Sequence, residues 1–126
     1  MNAKQQAIFN KLEKCILNKE VISIFYKDVN NPDNVEILSG RRIDIEPVAL
    51  GISVANNEVV RAWVHRGESL RGLPGWKMFR VDRIDRIFDS GWVKSKATKK
   101  NFLKPRPLYN PSGDRGMLKV FVNVKF

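Results

Sequence analysis

Residues 58–87 contain two short runs in which apolar side chains occupy every second position. The runs cover residues 59–64 and 76–81, and the residues between them include three glycines and a proline. Alternation with a period of two is typical of a strand that buries one face, and a connection rich in glycine and proline is typical of a loop. The sequence therefore predicts an antiparallel hairpin here and a fold that is mainly β.

The two faces of this hairpin differ in character. Three apolar residues are expected to face the core: Val60, Val64 and Phe79. The same alternation then places Arg61, Trp63 and Arg80 together on the other face. Guanidinium groups beside aromatic rings suit a surface that neutralises phosphates and stacks on bases. Burial of Trp63 and Trp76 as plain core residues is the alternative.

The triplet Asp-Arg-Ile occurs twice in residues 82–87. One helical or 3₁₀ turn would direct Ile84 and Ile87 inward and leave Arg83 and Arg86 together outside. These arginines are candidate contacts for an anionic ligand. Pairing with the two aspartates of the repeat is the alternative.

An amphipathic helix is predicted for residues 2–17. Asn2 and Gln5 have the spacing of a capping box, and Asn18 is expected to end the helix in a left-handed conformation. The apolar face of the helix consists of Ile8, Leu12, Cys15 and Ile16. A face of this kind predicts packing of the helix against the sheet.

Further strands are predicted at residues 21–26, 41–46, 48–54 and 117–126, with a turn at 55–57 and a loop at 65–75. In the strand at 41–46, Asp44 and Glu46 are expected to point to solvent, and Pro47 is expected to end the strand or mark an edge. In the last strand, the face from Leu118 to Val124 is expected to be buried. Residues 94–104 are rich in lysine and contain no acid, which predicts an exposed basic segment.

The charge balance indicates an anionic partner. Lysine and arginine number 23 against 13 acidic residues, a formal net charge of +10. Nucleic acid is the first partner that such a charge favours. The single cysteine and the absence of an apolar leader or a long apolar run predict a cytoplasmic protein that does not enter a membrane.

Catalytic signatures were not found. His65, the only histidine, has no supporting triad or zinc spacing, and the glycines match no phosphate-binding loop. Asp44 and Glu46 could hold Mg²⁺ as in a nuclease, but no lysine follows at the required spacing. We therefore predict that the protein is not an enzyme and has neither a metal nor a cofactor.

Several residues occur in an order that resembles a known family. The order comprises Tyr26, Arg42, Pro47, Leu50, the Arg-Ala-Trp of residues 61–63, GWKMFRVDRI at residues 75–84, and a tail of Arg106-Pro107-x-Tyr109-Asn110-Pro111-x-Gly113-Asp114-x-x-Met117. It resembles the WYL domain of bacterial transcriptional regulators, and the tail is similar to short standalone WYL-like proteins of phages. The namesake Trp-Tyr-Leu triplet is absent, and no helix-turn-helix segment is expected upstream.

This resemblance implies an Sm-like or SH3-like barrel of about five strands whose basic groove senses a nucleic acid or a nucleotide. Arg80 and Arg83 stand where family arginines line the groove, and Tyr26 and Arg42 match family positions. The implied organisation is a single domain over residues 1–126, with an N-terminal helix at 1–18, a barrel at 21–93, a basic and Pro/Gly-rich loop at 94–116 and a final strand at 117–126.

Together, these observations predict a non-catalytic module that binds nucleic acid, with single strands favoured, or that senses a regulatory ligand. The predicted contact residues are Tyr26, Arg42, Arg61, Trp63, Trp76, Arg80, Arg83, Arg86, Lys96, Lys99 and Lys100. The alternative is a structural or packaged phage protein, located in the host cytoplasm or the virion, that docks on another protein. A homo-oligomer is also compatible with the sequence.

Overall fold

The computed structural model describes residues 2–27, 40–67, 74–88, 102, 104–110 and 114–126. The elements in chain order are α1 (Ala3–Leu17), β1 (Ile22–Lys27), β2 (Gly40–Ser53), β3 (Glu58–Gly67), β4 (Gly75–Arg80), a 3₁₀ turn (Val81–Arg83), β5 (Ile84–Phe88) and β6 (Met117–Asn123). The fold is mainly β with an N-terminal helix, as predicted. Within the described residues, no helix has the length and apolarity needed to cross a bilayer.

Helix α1 begins with the predicted capping box. The side chain of Asn2 accepts a hydrogen bond from the Gln5 backbone N–H at 2.8 Å, and the side chain of Gln5 accepts one from the Asn2 backbone N–H at 3.3 Å. The predicted apolar face is buried against the sheet. The helix ends at Asn18, as predicted, but Asn18 is right-handed, with φ at −92° and its N–H bonded to the Lys14 carbonyl. The left-handed residue is Lys19, with φ at 54°.

The sheet is antiparallel, in the order β4-β3-β2-β1-β5, and β6 also pairs with β2. Strand β2 has 14 residues, so that its first half pairs with β1, its second half pairs with β6, and β3 runs along its other edge. The two strands predicted at residues 41–46 and 48–54 are therefore one strand. Pro47 does not end the strand. It lies at a local edge, as the alternative prediction had it, because the β1 pairing stops at Ile45 and the β6 pairing begins at Ala49, so that Pro47 is paired with β3 alone.

The order of the strands requires the sheet to curl. Strands β4 and β5 lie at opposite ends of the order, which in a flat sheet would separate them by about 19 Å. Only three residues connect them, and the chain from Arg80 to Ile84 spans at most about 14 Å. The Tyr26 hydroxyl in β1 indeed accepts a hydrogen bond from the Arg80 N–H at 3.0 Å. The described strands still form an open sheet, since β4 and β5 do not pair within it.

The Asp-Arg-Ile repeat has a different structure from the one predicted. The 3₁₀ turn covers only Val81–Arg83, and the second triplet lies in strand β5. A register shift in the β1–β5 pairing places Ile84 beside Tyr26 and Ile87 beside Ile24. Because β5 has one extra residue at this shift, Ile84 and Ile87 both point to the inner face although they are three positions apart. The inward direction of the two isoleucines agrees with the prediction, but a bulge and not a helical turn produces it.

The last strand pairs with the sheet, as predicted, but its faces differ from the prediction. Leu118 is 68% exposed, whereas Val124 is buried. The pairing of β6 with β2 shifts register twice, once beside Leu50 and once beside Ile52. Each shift resets the alternation, so the single face predicted from Leu118 onward does not exist.

Candidate ligand-binding face of the sheet

A segment near the C-terminus lies across the outer face of β2, β3 and β4. We call residues 104–110 the strap. Three hydrogen-bonding side chains tie it to the sheet: Arg106 to Glu46, Trp76 to the Pro107 carbonyl, and Tyr109 to the Val124 carbonyl. The strap covers much of the face on which the sequence analysis had placed the binding residues.

Glu46 is the buried anchor of the strap. Its side chain is 2% exposed and accepts two hydrogen bonds from the Arg106 guanidinium, at 2.7 and 3.1 Å. His65 Nε2 lies 3.2 Å from the same carboxylate. The prediction that His65 belongs to a loop was wrong, because strand β3 continues to Gly67 and includes it.

The prediction that Asp44 and Glu46 point to solvent was wrong. Asp44 is 3% exposed and accepts a hydrogen bond from the Ser23 hydroxyl at 2.6 Å. The alternation along β2 was correct, but the strap and neighbouring side chains cover the face that alternation alone assigns to water. Among the described residues, no group of three histidine, cysteine, aspartate or glutamate side chains is arranged to hold a metal ion.

Two buried carboxylates have lowered pKa values. Burial raises the pKa of Glu46, but hydrogen bonds from His65 and Arg106 outweigh it, and the net pKa lies below the usual range. Burial likewise raises the pKa of Asp114, and hydrogen bonds from the Arg61 side chain and the Gly116 backbone reverse the shift. Both carboxylates are therefore expected to be charged in the folded protein at neutral pH.

Acidification is expected to destabilise the fold through these two carboxylates. Their folded pKa values lie below the unfolded values of about 4.3 and 3.9, so their contribution is complete above those values and is lost as the pH falls through the folded values. Thermal unfolding followed by circular dichroism should show a midpoint that drops below about pH 4. Glu46→Gln should flatten part of this drop. A parallel pH dependence in variant and wild type would contradict the role of Glu46.

Arg61 and Asp114 form a second tie across the same face. The guanidinium donates two hydrogen bonds to the carboxylate, one of them at 3.2 Å from Nη2, and its side chain is 25% exposed. Asp114 also accepts a bond from the Gly116 N–H at 2.7 Å. The charge of Arg61, a predicted phosphate contact, is thus already neutralised within the chain.

Trp63 and Trp76 are cross-strand neighbours in the β3–β4 hairpin. Their rings meet edge to face at 5.3 Å, and the Arg106 guanidinium lies 5.8 Å from the Trp63 ring centre. The indole N–H of Trp76 donates to the Pro107 carbonyl at 2.7 Å. Both indoles are half-buried beneath the strap. They are therefore neither fully exposed on a binding face nor fully buried in the core, the two alternatives that the sequence left open.

A second group of predicted residues lies at the other end of β2. Phe25 in β1 is directly opposite Arg42 in β2 and Arg86 in β5, so the three side chains form a row on one face. The Phe88 ring is flanked by both guanidinium groups, 5.6 Å from Arg42 and 6.0 Å from Arg86. We call Arg42, Phe25, Arg86 and Phe88 the basic row.

The basic row is open to solvent at Arg86, whose side chain is 63% exposed. Its only described ion pair is with Asp85, at 3.3 Å. Asp85 also accepts a 2.7 Å bond from Lys4, and this bond is the main reason that its pKa is lowered. Because Asp85 is shared with Lys4 and Lys27, it offsets little of the Arg86 charge.

Tyr26 and Arg80 occupy a third location. The Tyr26 ring packs edge to face on Phe79 at 5.0 Å, and its hydroxyl holds the Arg80 backbone. The Arg80 guanidinium binds both oxygens of Asp82, at 3.0 and 2.5 Å, which raises the pKa of the arginine. Arg83, in contrast, forms no ion pair with any residue that the structure describes.

The structure thus divides the predicted contact residues into groups. Arg61, Trp63 and Trp76 lie under the strap, Arg42 and Arg86 belong to the basic row, and the others that are described lie beside the 3₁₀ turn. Lys96, Lys99 and Lys100 lie outside the described residues. The alternation in the hairpin was correct, because β3 and β4 pair without a register shift.

The side chains that contact the predicted binding residues were not themselves predicted from the sequence. Phe25 and Phe88 were not singled out as part of a site, and neither were the strap residues that bind the sheet. The available signal was the tail itself, since Arg106, Tyr109, Asn110 and Asp114 all belong to the motif on which the family resemblance rests. In the fold, those four residues gather on one face of the sheet.

Comparison of this chain with protein-family models, with curated proteins and with solved structures found no match.

Proposed function

We propose that this protein is a non-catalytic module that binds single-stranded nucleic acid through the basic row. The observation that carries this proposal is that the Arg42 and Arg86 guanidinium groups lie 5.6 and 6.0 Å from the centre of the Phe88 ring, with Phe25 directly opposite both arginines across the strands. Guanidinium groups neutralise phosphates, and aromatic rings beside them stack on unpaired bases. Three adjacent strands hold the four side chains in register.

The charge of the whole chain supports the same partner. A net charge of +10 attracts a polyanion from a distance and speeds its encounter with the protein. Single strands fit better than a duplex, because the one described α-helix buries its apolar face against the sheet. The resemblance to the WYL domain adds a role in transcription regulation to this proposal.

The paired arginines have a different role in the proposal from the one that the sequence suggested. Arg61 and Arg80 are bound to Asp114 and Asp82, so a phosphate would have to displace a carboxylate to reach them. Arg61 ties Asp114 to β3, and Arg80 binds Asp82 in the 3₁₀ turn. The contact is assigned instead to the basic row, because its Arg86 side chain is 63% exposed, against 25% for Arg61 and 36% for Arg80. Arg83, three residues before Arg86, is a further cation.

Binding to a short single-stranded DNA should weaken as salt increases. Four engaged phosphates correspond to a slope of about −3 in a plot of log affinity against log salt. Replacing Arg42 and Arg86 together by alanine should lower affinity by about tenfold or more and reduce the slope by about 1.4, because two phosphate contacts are lost. Fluorescence anisotropy over a salt series measures both quantities.

The matched control is the double variant Lys14→Ala and Lys125→Ala, which removes the same charge from exposed positions outside the basic row. It should retain most of the affinity. Equal losses in the two double variants would show that binding depends on total charge only. An affinity that does not change with salt would contradict the proposed phosphate contacts.

Docking on a protein partner is a second candidate function, which exposed apolar residues favour. Leu118 and Phe121 in β6 are 68% and 42% exposed, and Val54 in the nearby turn is 67% exposed. For a packaged or structural phage protein, mass spectrometry should find the chain in purified particles. Its presence in the infected-cell lysate alone would favour the nucleic-acid module.

A further inference from the structure

A cleft lies between the strap and the second half of the sheet. Its volume is about 520 Å³, within the range of sites for small ligands. The register explains its floor, because Arg61, Ala49 and Asn123 are directly opposite one another across β3, β2 and β6. A small alanine between two longer side chains leaves a hollow at the centre of this row. The cleft is therefore built into the pairing of the strands.

Two aromatic rings that line the cleft are held in fixed orientations. Trp76 donates its indole N–H to the Pro107 carbonyl at 2.7 Å, and Tyr109 donates its hydroxyl to the Val124 carbonyl at 2.8 Å. The polar tips of both side chains are thus used within the protein. What they offer a ligand is ring surface, which favours a planar group.

The charges in the cleft favour a single anionic group. Arg61 and Asp114 cancel each other through their ion pair. Arg115 also lines the cleft, is exposed, and forms no ion pair with any described residue. The described lining therefore combines aromatic surface with one cation that has no described ion-pair partner.

From this combination we infer that the cleft binds a small ligand made of a planar ring joined to an anionic group, of the size and chemistry of a nucleoside monophosphate. The ring lies against Trp76 and Tyr109, and the anion lies at Arg115. This site is distinct from the basic row, because Ala49 and Arg42 are seven residues apart in β2, about 23 Å in an extended strand. The inference therefore does not depend on the proposed function. The ligand is either a free mononucleotide or the phosphorylated end of a nucleic-acid strand.

Isothermal titration with adenosine 5′-monophosphate, uridine 5′-monophosphate and adenosine tests the inference. The monophosphates should bind more tightly than the nucleoside. Arg115→Ala should weaken the monophosphates by about tenfold and leave adenosine unchanged, because only the contact to the anion is lost. The melting temperature of this variant should stay within about 2 °C of the wild type, since Arg115 is exposed.

Lys14→Ala is the matched control, because it removes one exposed charge on the helix, away from the cleft. It should bind the monophosphates like the wild type. Equal weakening by Lys14→Ala and Arg115→Ala would overturn the inference. The absence of Arg115-dependent binding for both the monophosphates at millimolar concentration and a 5′-phosphorylated oligonucleotide would overturn it as well.

A short oligonucleotide with and without a 5′-phosphate distinguishes the two sources of the ligand. If only the phosphorylated oligonucleotide depends on Arg115, the cleft holds a strand end. If free monophosphates show the dependence, the ligand is a free nucleotide. A further variant, Ala49→Leu, should fill the hollow and abolish monophosphate binding while leaving oligonucleotide binding at the basic row intact. If the basic row does not bind nucleic acid, the Arg42 and Arg86 variants will keep the oligonucleotide affinity of the wild type, whatever the monophosphate titrations show. The two proposals can therefore fail separately.

Discussion

Replacing Arg106 by methionine is expected to lower the free energy of unfolding by about 2.5 kcal/mol. The change leaves the Glu46 carboxylate buried, at 2% exposure, with His65 as its only remaining described ionic partner. Removing one member of a buried ion pair costs about 3–5 kcal/mol. We expect a smaller loss because the Arg106 side chain is 41% exposed and water screens part of the interaction. Urea denaturation measures the change.

A double-mutant cycle with Glu46→Gln separates the ion pair from the packing of the strap. The double variant should be more stable than Arg106→Met alone, because an amide is less costly to bury than an unpaired carboxylate. Arg115→Met serves as the control, since Arg115 is exposed and unpaired within the described residues, and its effect should stay within about 0.5 kcal/mol. Equal effects of Arg106→Met and Arg115→Met would show that the strap is not anchored at Glu46.

Replacing Gly51 by alanine is expected to cost about 3 kcal/mol. A Cβ atom at this position would lie 2.1 Å from the Lys119 carbonyl oxygen and 3.0 Å from the Met117 sulfur. The first contact is with backbone, so strand β6 has to move away from β2, and overpacking of this kind costs about 1–3 kcal/mol or more. Thermal and urea denaturation should both show the loss.

The exposed neighbour Val54 supplies the comparison for Gly51. Val54→Ala, in the turn that follows β2, should change stability by less than about 0.5 kcal/mol. Because Asn123 in β6 lines the cleft, Gly51→Ala should also weaken monophosphate binding. A variant as stable as the wild type would show that β6 does not approach β2 as closely as the structure indicates.

The basic row and the strap-covered cleft are both assembled from residues that are far apart in the sequence. Arg42 and Arg86 are 44 positions apart, and nothing in their local sequence pairs them with Phe88. They meet because β1 lies between β2 and β5, an order that long-range pairing determines. The cleft depends on similar distances, since Asp114 binds Arg61 from 53 positions away. Local periodicity contains no information on such partners.

Local sequence alone determined helix α1 and the β3–β4 hairpin, together with the face that each of them buries. Capping residues and apolar periodicity predicted helix α1, and strict alternation predicted the hairpin with Val60, Val64 and Phe79 inside. Such features depend on neighbours within a few positions, which the sequence displays directly. The errors at Leu118 and the Asp-Arg-Ile repeat coincide with register shifts in the strand pairing, which one strand does not reveal without its partner.

Only the tertiary structure decided which polar residues contact solvent and which are tied within the chain. Alternation assigned Glu46 and Arg61 to an outer face, and both are indeed on that face. The strap then covers it, because the fold brings Arg106 to the buried Glu46 carboxylate and Asp114 to Arg61, so that these charges are paired within the chain. The sequence thus identified the outer face of the sheet. The fold determined that this face binds the strap and forms the cleft beneath it.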